Sequence, residues 1–306
     1  MSEKYDLLVI GHTAMDYIMT VEEFPDPNSS IPINTLEVFH GGAGANVTMV
    51  AATLGLKTTI ISAVGRKFLK SDYLETMKKV NINTESMIIS EDEDTPTAFG
   101  MTNNNKDQIF YFYWGAGKEF ANTKPPKSTI ESCKLVHLAT GDPSFNQKSS
   151  IIAKESEKIV SFDPGQDLNM YNGEKLKEVI KNCTILFGNH YEIERMEKLL
   201  NCDVNGLRDF GPKIIVKTSG KDGSTVYTKK EKIKVDSVYR PAVDPTGAGD
   251  SYRAGFLYNY INGEDLKNCA KFASAVSSFI VEKQGCQTNI PSYSNVVNRM
   301  NDFYGK

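Results

Sequence analysis

A glycine-rich loop in the C-terminal part of the chain, Asp244-Pro245-Thr246-Gly247-Ala248-Gly249-Asp250, has the composition of a phosphoryl-transfer site. It precedes a helical pattern, and glycines at a helix start let backbone N–H groups approach an anion at the positive end of the helix dipole. A carboxylate there can accept a proton from an alcohol. We therefore predict phosphoryl transfer to a hydroxyl, with Asp250 as the base and the amides of Gly247, Ala248 and Gly249 as an anion hole. For the loop alone, a structural glycine turn is the alternative.

Two further glycine-containing segments could approach a ligand. Gly41-Gly42-Ala43-Gly44-Ala45-Asn46 leads into an apolar helical pattern, and the Asn46 amide offers donors and an acceptor that suit a sugar diol. Tight packing of small residues at a helix start is the alternative. Val216 to Gly223 predicts a strand and a glycine loop that could line a nucleotide, although a simple hairpin explains it equally well.

A polar segment, Asn189-His190-Tyr191-Glu192, has two interpretations. Asn189 and Glu192 have the spacing of a capping box at a helix start. They could equally orient Mg²⁺-bound water, since Mg²⁺ retains waters and needs few direct protein ligands. The segment Gly115-Ala116-Gly117-Lys118 lacks the first glycine and the Ser or Thr of a P-loop, which argues against a Walker-type ATPase.

The overall composition narrows the class of protein. The 306 residues contain 35 Lys and Arg against 38 Asp and Glu, a balance that argues against a generic nucleic-acid binder. No apolar run reaches the roughly 18 residues of a membrane span, and the N-terminal residues are too acidic for a signal peptide. The five scattered cysteines contain no CxxC pair, which predicts free thiols and a cytoplasmic protein.

Strand-length apolar runs alternate with helical patterns along most of the chain, and this rhythm predicts a mainly parallel sheet covered by helices. The expected strands are 57–63, 134–139, 158–162, 184–187 and 213–217. The expected helices are 72–80, 146–157, 174–180, 191–200, 250–261 and 266–281. Segments 13–37 and 95–114 break the rhythm, and the second predicts a hairpin around a polar turn at Asn103 to Asp107. We expect these two segments to form a β lid, with 1–12, 38–94 and 115–306 as the α/β core.

These signals, in this order, resemble the ribokinase-like (PfkB) family of carbohydrate and nucleoside kinases over nearly the whole chain. Within it, the chain is most similar to archaeal nucleoside kinases, in the stretches Gly11 to Tyr17, Ser161 to Asp167, Asp250 to Phe256 and Gly285 to Asn289. The resemblance implies a three-layer α/β/α core with a mainly parallel sheet and a small β-sheet lid. It also implies ATP with Mg²⁺ as the phosphoryl donor.

The resemblance further implies a role for individual residues. It makes Asp250 the catalytic base. The implied sugar-hydroxyl ligands are Asp16, Gly42 and Asn46, with Gln166 near the acceptor. The implied ATP contacts are Thr218, Gly220 and Gly223. The implied magnesium-water pair is Asn189 and Glu192. The implied side chains beside a monovalent cation such as K⁺ are Asp244 and Asn289.

The chain also departs from the family pattern. Many relatives carry an acidic residue where this sequence has Lys67, and sugar kinases usually have Thr where it has Pro245. Both departures weaken an inference of the substrate from ribokinase itself.

The second lid segment favours a nucleoside as the acceptor. Phe110, Tyr111, Phe112, Tyr113 and Trp114 follow one another, and in a strand Phe110, Phe112 and Trp114 share one face. That face, centred on Phe112, could cover a nucleobase. Packing within the lid or against a partner is the alternative, and we expect it for at least one face. A phosphorylated sugar would need a cationic pocket, whereas the lid segments hold a single basic residue, Lys106.

Together these observations predict an ATP-dependent kinase of broad specificity that acts on the 5′-hydroxyl of nucleosides and requires neither nucleic acid nor membrane. The alternatives are a sugar kinase acting on ribose or fructose and, less favoured, a non-catalytic binding protein with the same fold. Open strand edges in the lid also predict a homodimer.

Overall fold

The structure of the protein is a computed structural model that describes residues 3–105 and 107–305. The strands, in chain order, are β1 Tyr5–Ile10, β2 Ala14–Thr20, β3 Thr35–Gly41, β4 Thr58–Ile61, β5 Ala63–Gly65, β6 Ile88–Ser90, β7 Thr97–Thr102, β8 Gln108–Tyr113, β9 Cys133–Leu138, β10 Ile159–Phe162, β11 Ile185–Asn189, β12 Ile214–Thr218, β13 Ser224–Tyr227 and β14 Lys232–Val235. The α-helices are α1 Ala43–Leu54, α2 Asp72–Lys79, α3 Glu119–Asn122, α4 Lys127–Glu131, α5 Pro143–Glu155, α6 Gly173–Asn182, α7 His190–Leu200, α8 Val204–Asp209, α9 Ala248–Ile261, α10 Leu266–Ile280 and α11 Tyr293–Tyr304.

The main sheet has eight strands in the order β14-β13-β12-β11-β10-β9-β1-β4. The six strands from β12 to β4 run parallel, and β13 and β14 extend one edge as an antiparallel meander. This arrangement confirms the predicted α/β class with a mainly parallel sheet.

Alternating side chains of the central strands divide the core into two layers. In β1, Leu7 and Val9 pack into the cluster under α1, α9 and α10, whereas Leu8 and Ile10 pack into the cluster on the opposite face. All four side chains are essentially inaccessible to water. Both faces of the sheet are therefore covered, as expected for parallel strands that read as continuous apolar runs.

A second sheet of four strands, in the order β3-β2-β7-β8, forms the lid. β7 and β8 pair as the predicted antiparallel hairpin, and the Asn103 side chain closes its turn by accepting from the Asp107 N–H at 2.9 Å. Lys106, the basic residue considered above, lies outside the described residues. The two edge strands of the lid are β3 and β8.

Three expected boundaries differ from the structure. The single strand expected over 57–63 is divided, because the chain leaves the main sheet after Ile61 and Ala63 pairs with Ile88 of β6. α5 begins at Pro143 rather than near Asn146, because the Asp142 side chain caps it by accepting from the Phe145 N–H. Strand β3 continues to Gly41, beyond the expected lid boundary at residue 37, because its pairing with β2 runs that far.

Candidate active site

Part of the candidate site lies where strands of the parallel sheet end. β10 leads into the 3-10 helix that carries Gln166, and β11 and β12 end at the predicted residues Asn189 and Thr218. The carboxyl ends of parallel strands meet at one edge of the sheet, where ligands of open α/β folds bind. The topology therefore gathers residues that are far apart in sequence.

The loop before α9 enters this right-handed helix through a residue with left-handed backbone angles. Gly247 is the N-cap with a φ of 78°, and a Cβ there would lie 2.8 Å from the Cβ of Cys286, so glycine is required on both grounds. Asp244 holds the loop in place. One of its carboxylate oxygens accepts from the Thr246 N–H at 2.9 Å and the other from the Gly285 N–H at 3.0 Å.

The three amides of the predicted anion hole lie at this helix start, although one of them is engaged. The Ala248 N–H donates to the Pro245 carbonyl at 3.2 Å. An anion bound by all three amides of Gly247, Ala248 and Gly249 therefore has to replace this long turn hydrogen bond.

Asp250 lies in the first turn of α9 and is fixed by a helix from the other half of the chain. The side-chain amide of Asn46, on α1, donates to Asp250 Oδ2 at 2.9 Å. The pKa of Asp250 is raised to about 7. Burial is the main cause and the negative charge of Glu192 adds to it, whereas the Asn46 hydrogen bond acts in the opposite direction. This is the range in which a carboxylate is effective as a base at neutral pH.

Asn46 is itself oriented by a chain of hydrogen bonds. Gln287 donates from Nε2 to Asn46 Oδ1 at 2.8 Å, and the same nitrogen lies 2.6 Å from the Tyr73 hydroxyl. Tyr73 in turn donates to the Gly41 carbonyl at 2.8 Å. Because Asn46 accepts from Gln287 through its oxygen, its nitrogen must face Asp250.

Asp16 projects from lid strand β2 toward the same region. Burial, together with the negative charges of Asp250 and Asp244, raises its pKa to about 7. Gly41 lies directly beneath the Asp16 carboxylate and leaves no room for a Cβ. Gly42, the N-cap of α1 with a φ of 90°, passes so close to the His12 carbonyl that a Cβ would lie 2.5 Å from it. Both glycines are therefore tightly packed, and this packing leaves the role of Gly42 toward a ligand a prediction.

A cavity of about 310 Å³ lies beside the start of α9. Its walls include residues of the β12–β13 hairpin loop, of the α9 start and of α10. The predicted site residues among them are Thr218, Gly220, Gly223, Ala248 and Gly249. The hairpin interpretation of the third glycine segment is correct, since β12 and β13 pair antiparallel, and its loop also faces the cavity.

Asn189 and Glu192 form the capping box of α7. The Asn189 side chain accepts from the Glu192 N–H at 2.9 Å, and the Glu192 carboxylate accepts from the Asn189 N–H at 2.7 Å. Among residues 3–105 and 107–305, no group of three or more His, Cys, Asp or Glu side chains could hold a metal ion directly. The oxygen donors of Asn189 and Glu192 nevertheless suit Mg²⁺ held through its waters.

The other predicted ligands differ in their surroundings. Asn289 donates from its side-chain amide to the Phe279 carbonyl at 2.5 Å, close to the Gly285 segment that Asp244 binds. Gln166 is exposed on the 3-10 helix Gly165–Met170, whereas its neighbour Asp167 is buried. Within the described residues, the Gln166 side chain makes no hydrogen bond to another predicted ligand, and its role stays a prediction.

The aromatic strand β8 divides along its length rather than by face, in contrast to the expectation that Phe110, Phe112 and Trp114 act together. The half-buried Phe112 and the adjacent Trp114 pack on His12, with ring centroids 5.3 and 4.7 Å away. Phe110, by contrast, is 52% exposed despite sharing their side of the strand, and Tyr111 is 61% exposed. Of these aromatic residues, those nearest the core therefore pack on His12, and Phe110 and Tyr111 face outward.

Sequence reasoning missed four side chains of this region. Arg253 is buried one turn after Asp250, and Gln287 orients Asn46. His12 and Asp167 are buried with Nε2 and Oδ2 3.4 Å apart, and neither of these atoms makes a hydrogen bond to the protein. All four residues lie inside the stretches that resemble archaeal nucleoside kinases. This resemblance was the only sequence signal for them.

The chain is similar to known nucleoside kinases over nearly its whole length. A nucleoside kinase of Methanothermobacter thermautotrophicus is 52% identical over 305 residues, covering 100% of this chain and 98% of that protein. A nucleoside kinase of Methanocaldococcus jannaschii is 44% identical over 292 residues, covering 95% of each. A crystal structure of a nucleoside kinase from the latter organism, described as an archaeal member of the ribokinase family, superposes with a TM-score of 0.94. It is 41% identical and covers 99% of this chain and 100% of its own.

The family model for pfkB family carbohydrate kinases matches residues 4–293. This match spans nearly the whole chain and both sheets, and it agrees with the ribokinase-like fold of the solved structure. The chain therefore belongs to the pfkB family of carbohydrate kinases.

Proposed function

We propose that this protein is an ATP-dependent kinase that phosphorylates the 5′-hydroxyl of nucleosides. The observation that carries the proposal is Asp250, a half-buried carboxylate at a glycine-rich helix start, oriented by Asn46 beside a nucleotide-sized cavity. The names of the two relatives, at 52% and 44% identity over essentially the full chain, support a nucleoside as the acceptor.

In the proposed mechanism, ATP occupies the cavity and the nucleoside lies between the lid and α9. Asp16, Gly42 and Asn46 bind the sugar hydroxyls, and Asp250 removes the proton from the 5′-hydroxyl as the γ-phosphoryl group transfers. The amides of Gly247, Ala248 and Gly249 stabilise the charge that develops on the phosphoryl oxygens.

The remaining predicted ligands serve the nucleotide and its ions. Thr218, Gly220 and Gly223 contact ATP from the hairpin loop. Asn189 and Glu192 would hold Mg²⁺ through water, and this ion supplies charge neutralisation on the phosphates when it is bound. Asp244 and Asn289 border the place of a monovalent cation such as K⁺. These side chains and backbone carbonyls near them would hold the cation, which would supply positive charge beside the anion hole when bound.

Several contacts favour a nucleobase over a free sugar. Phe112 and Trp114 supply apolar surface at the core end of the lid, and base–aromatic contact contributes about 1–3 kcal/mol per base in single-strand binders. His12 and Asp167 add buried polar atoms that no protein group satisfies. Buried polar groups of this kind are expected to serve a polar ligand.

A substrate panel tests the proposal. ADP release is measured with several nucleosides, with ribose and with fructose, at fixed ATP, Mg²⁺ and K⁺. We expect turnover with nucleosides and little with the free sugars. Turnover confined to ribose or fructose would assign the chain to the sugar kinases, and no turnover with any acceptor would contradict a kinase.

The pKa of Asp250 predicts how activity depends on pH. The base acts only when ionised, so activity rises with pH as the proton is lost near pH 7. We expect kcat/KM for the nucleoside to fall at least tenfold per pH unit below this value and to level off above it. Asp16 titrates in the same range and steepens the fall. The profile of kcat/KM against pH for the wild type, compared with that of Asp16→Asn, separates the titration of Asp250 from that of Asp16. A flat wild-type profile down to about pH 5 would contradict Asp250 as the base.

We also propose that the protein is a homodimer joined through its lids. β3 and β8 are open strand edges, and large apolar side chains are exposed along both, among them Leu36, Val38, Phe110 and Tyr111. The expected result is sedimentation at twice the monomer mass. Val38→Glu combined with Tyr111→Glu is expected to give monomers, whereas a wild-type protein that sediments only as a monomer would defeat the proposal.

A cytoplasmic location is the remaining part of the proposal. All five cysteines are free, which suits a reducing compartment. No helix in the described part of the chain is both long and apolar enough to span a bilayer.

A further inference from the structure

Arg253 is a buried cation at the meeting point of three acidic residues. It lies one helical turn after Asp250 on α9 and is only 8% exposed. Its Nε pairs with Asp163 Oδ2, its Nη2 lies 3.8 Å from Glu192 Oε2, and its Nη1 lies 3.7 Å from Asp250 Oδ1. The three carboxylates come from the end of β10, the start of α7 and the start of α9.

Two features show that this position is built around a guanidinium group. Gly249 has no room for a Cβ, because the Arg253 Nη1 nitrogen occupies that place. Asp163 is 3% exposed and uses its other carboxylate oxygen to accept from the Gly165 N–H at 2.9 Å, so it holds the Nε edge of the arginine in a fixed orientation. The remaining edge then faces Asp250 and Glu192.

We propose that Arg253 is a positioning residue for phosphoryl transfer, which holds the candidate base Asp250 and the magnesium-water residue Glu192 in one fixed arrangement. A planar guanidinium group can contact several carboxylates at once, whereas a lysine ammonium is a single point charge. Asp163 anchors the arginine and takes no part in the chemistry. The proposal rests on the proposed kinase function and assigns to this reaction a residue outside the glycine loop.

The inference predicts a graded loss of turnover. Arg253→Met alone leaves Asp163 buried without its partner, which by itself is strongly destabilising. We therefore pair it with Asp163→Asn, which removes both charges and keeps an oxygen for the Gly165 N–H. For this double variant we expect a kcat about 10²-fold below wild type, the loss expected when a reacting group is misplaced by roughly 1 Å.

Arg253→Lys is the conservative variant. It keeps a positive charge at the buried position and so preserves the fold, but it cannot contact all three carboxylates. We expect its kcat to lie between wild type and the double variant, about tenfold below wild type. The Michaelis constants for ATP and nucleoside should stay within about twofold in both variants, because Arg253 neither lines the cavity nor belongs to the proposed sugar-hydroxyl ligands.

The experiment measures kcat and both Michaelis constants for wild type, Asp163→Asn, Arg253→Lys and the double variant, with circular dichroism melting as the check of folding. A stepwise fall in kcat with constant KM supports a positioning role. Wild-type kcat in Arg253→Lys, or a double variant within about threefold of wild type, overturns it. If the double variant does not fold, Arg253→Lys alone decides. All four proteins are assayed with whichever acceptor the wild type phosphorylates. Absence of turnover with nucleosides would contradict the proposed function, whereas an equal kcat in all four proteins would contradict this inference.

Discussion

Asp250→Asn is expected to lower kcat by roughly 10²-fold or more while nucleoside and ATP binding change little, because it removes the proposed general base and leaves the fold intact. The substituted amide keeps an oxygen that can accept the Asn46 hydrogen bond, so the geometry that fixes this side chain survives. Initial rates at saturating ATP and nucleoside measure kcat, and calorimetric titration with the nucleoside measures binding.

The matched control for this substitution is Asp209→Asn. Asp209 is an exposed residue at the end of α8, and its change removes the same charge far from α9. We expect wild-type kcat in the control. Near-normal turnover in Asp250→Asn would remove Asp250 as the base, and weakened nucleoside binding with unchanged kcat would make it a substrate ligand only.

Asp16→Ala is expected to reduce kcat/KM for the nucleoside by about 10- to 150-fold and to leave the Michaelis constant for ATP unchanged. A hydrogen bond to a charged group contributes about 1.5–3 kcal/mol, which converts to this range. Asp16 faces the proposed acceptor side from β2, whereas the residues that line the cavity belong to β12, the hairpin loop and the α9–α10 region. The two substrates should therefore respond separately.

Asp26→Ala is the control for Asp16. Asp26 is an exposed residue in the loop between β2 and β3, so its loss removes an acidic side chain from the same segment without touching the site. Steady-state kinetics with each substrate varied in turn gives both constants. An unchanged kcat/KM for the nucleoside in Asp16→Ala would exclude Asp16 as a ligand of the sugar hydroxyls.

The fold was predictable because its signals are local. Apolar runs such as Leu7 to Ile10 are buried on both faces in a parallel sheet and therefore stand out in the sequence. The polar turn at Asn103 to Asp107 likewise determines its hairpin through its own side chains. The break between β4 and β5 was missed because it depends on pairing with β6, which lies some 25 residues further along the chain.

The arrangement of the candidate site depends on contacts that a sequence pattern does not encode. Asn46 meets Asp250 across 204 positions because α1 packs against α9, and Gln287 reaches Asn46 across 241. The motif glycines, by contrast, were visible, since Gly42 and Gly247 have positive φ and no room for a Cβ. Arg253 gave no signal of its own, because an arginine in a helical pattern normally indicates a solvated face.

The central claim is tested most directly by comparing a nucleoside with its 5′-deoxy analogue. The analogue keeps the base and the 2′- and 3′-hydroxyls and lacks only the proposed acceptor oxygen. With the nucleoside, we expect ADP release and an equal amount of nucleoside 5′-monophosphate. With the analogue, we expect no ADP release above background. Equal ADP release with the analogue would show that the 5′-hydroxyl is not the acceptor and would contradict the account.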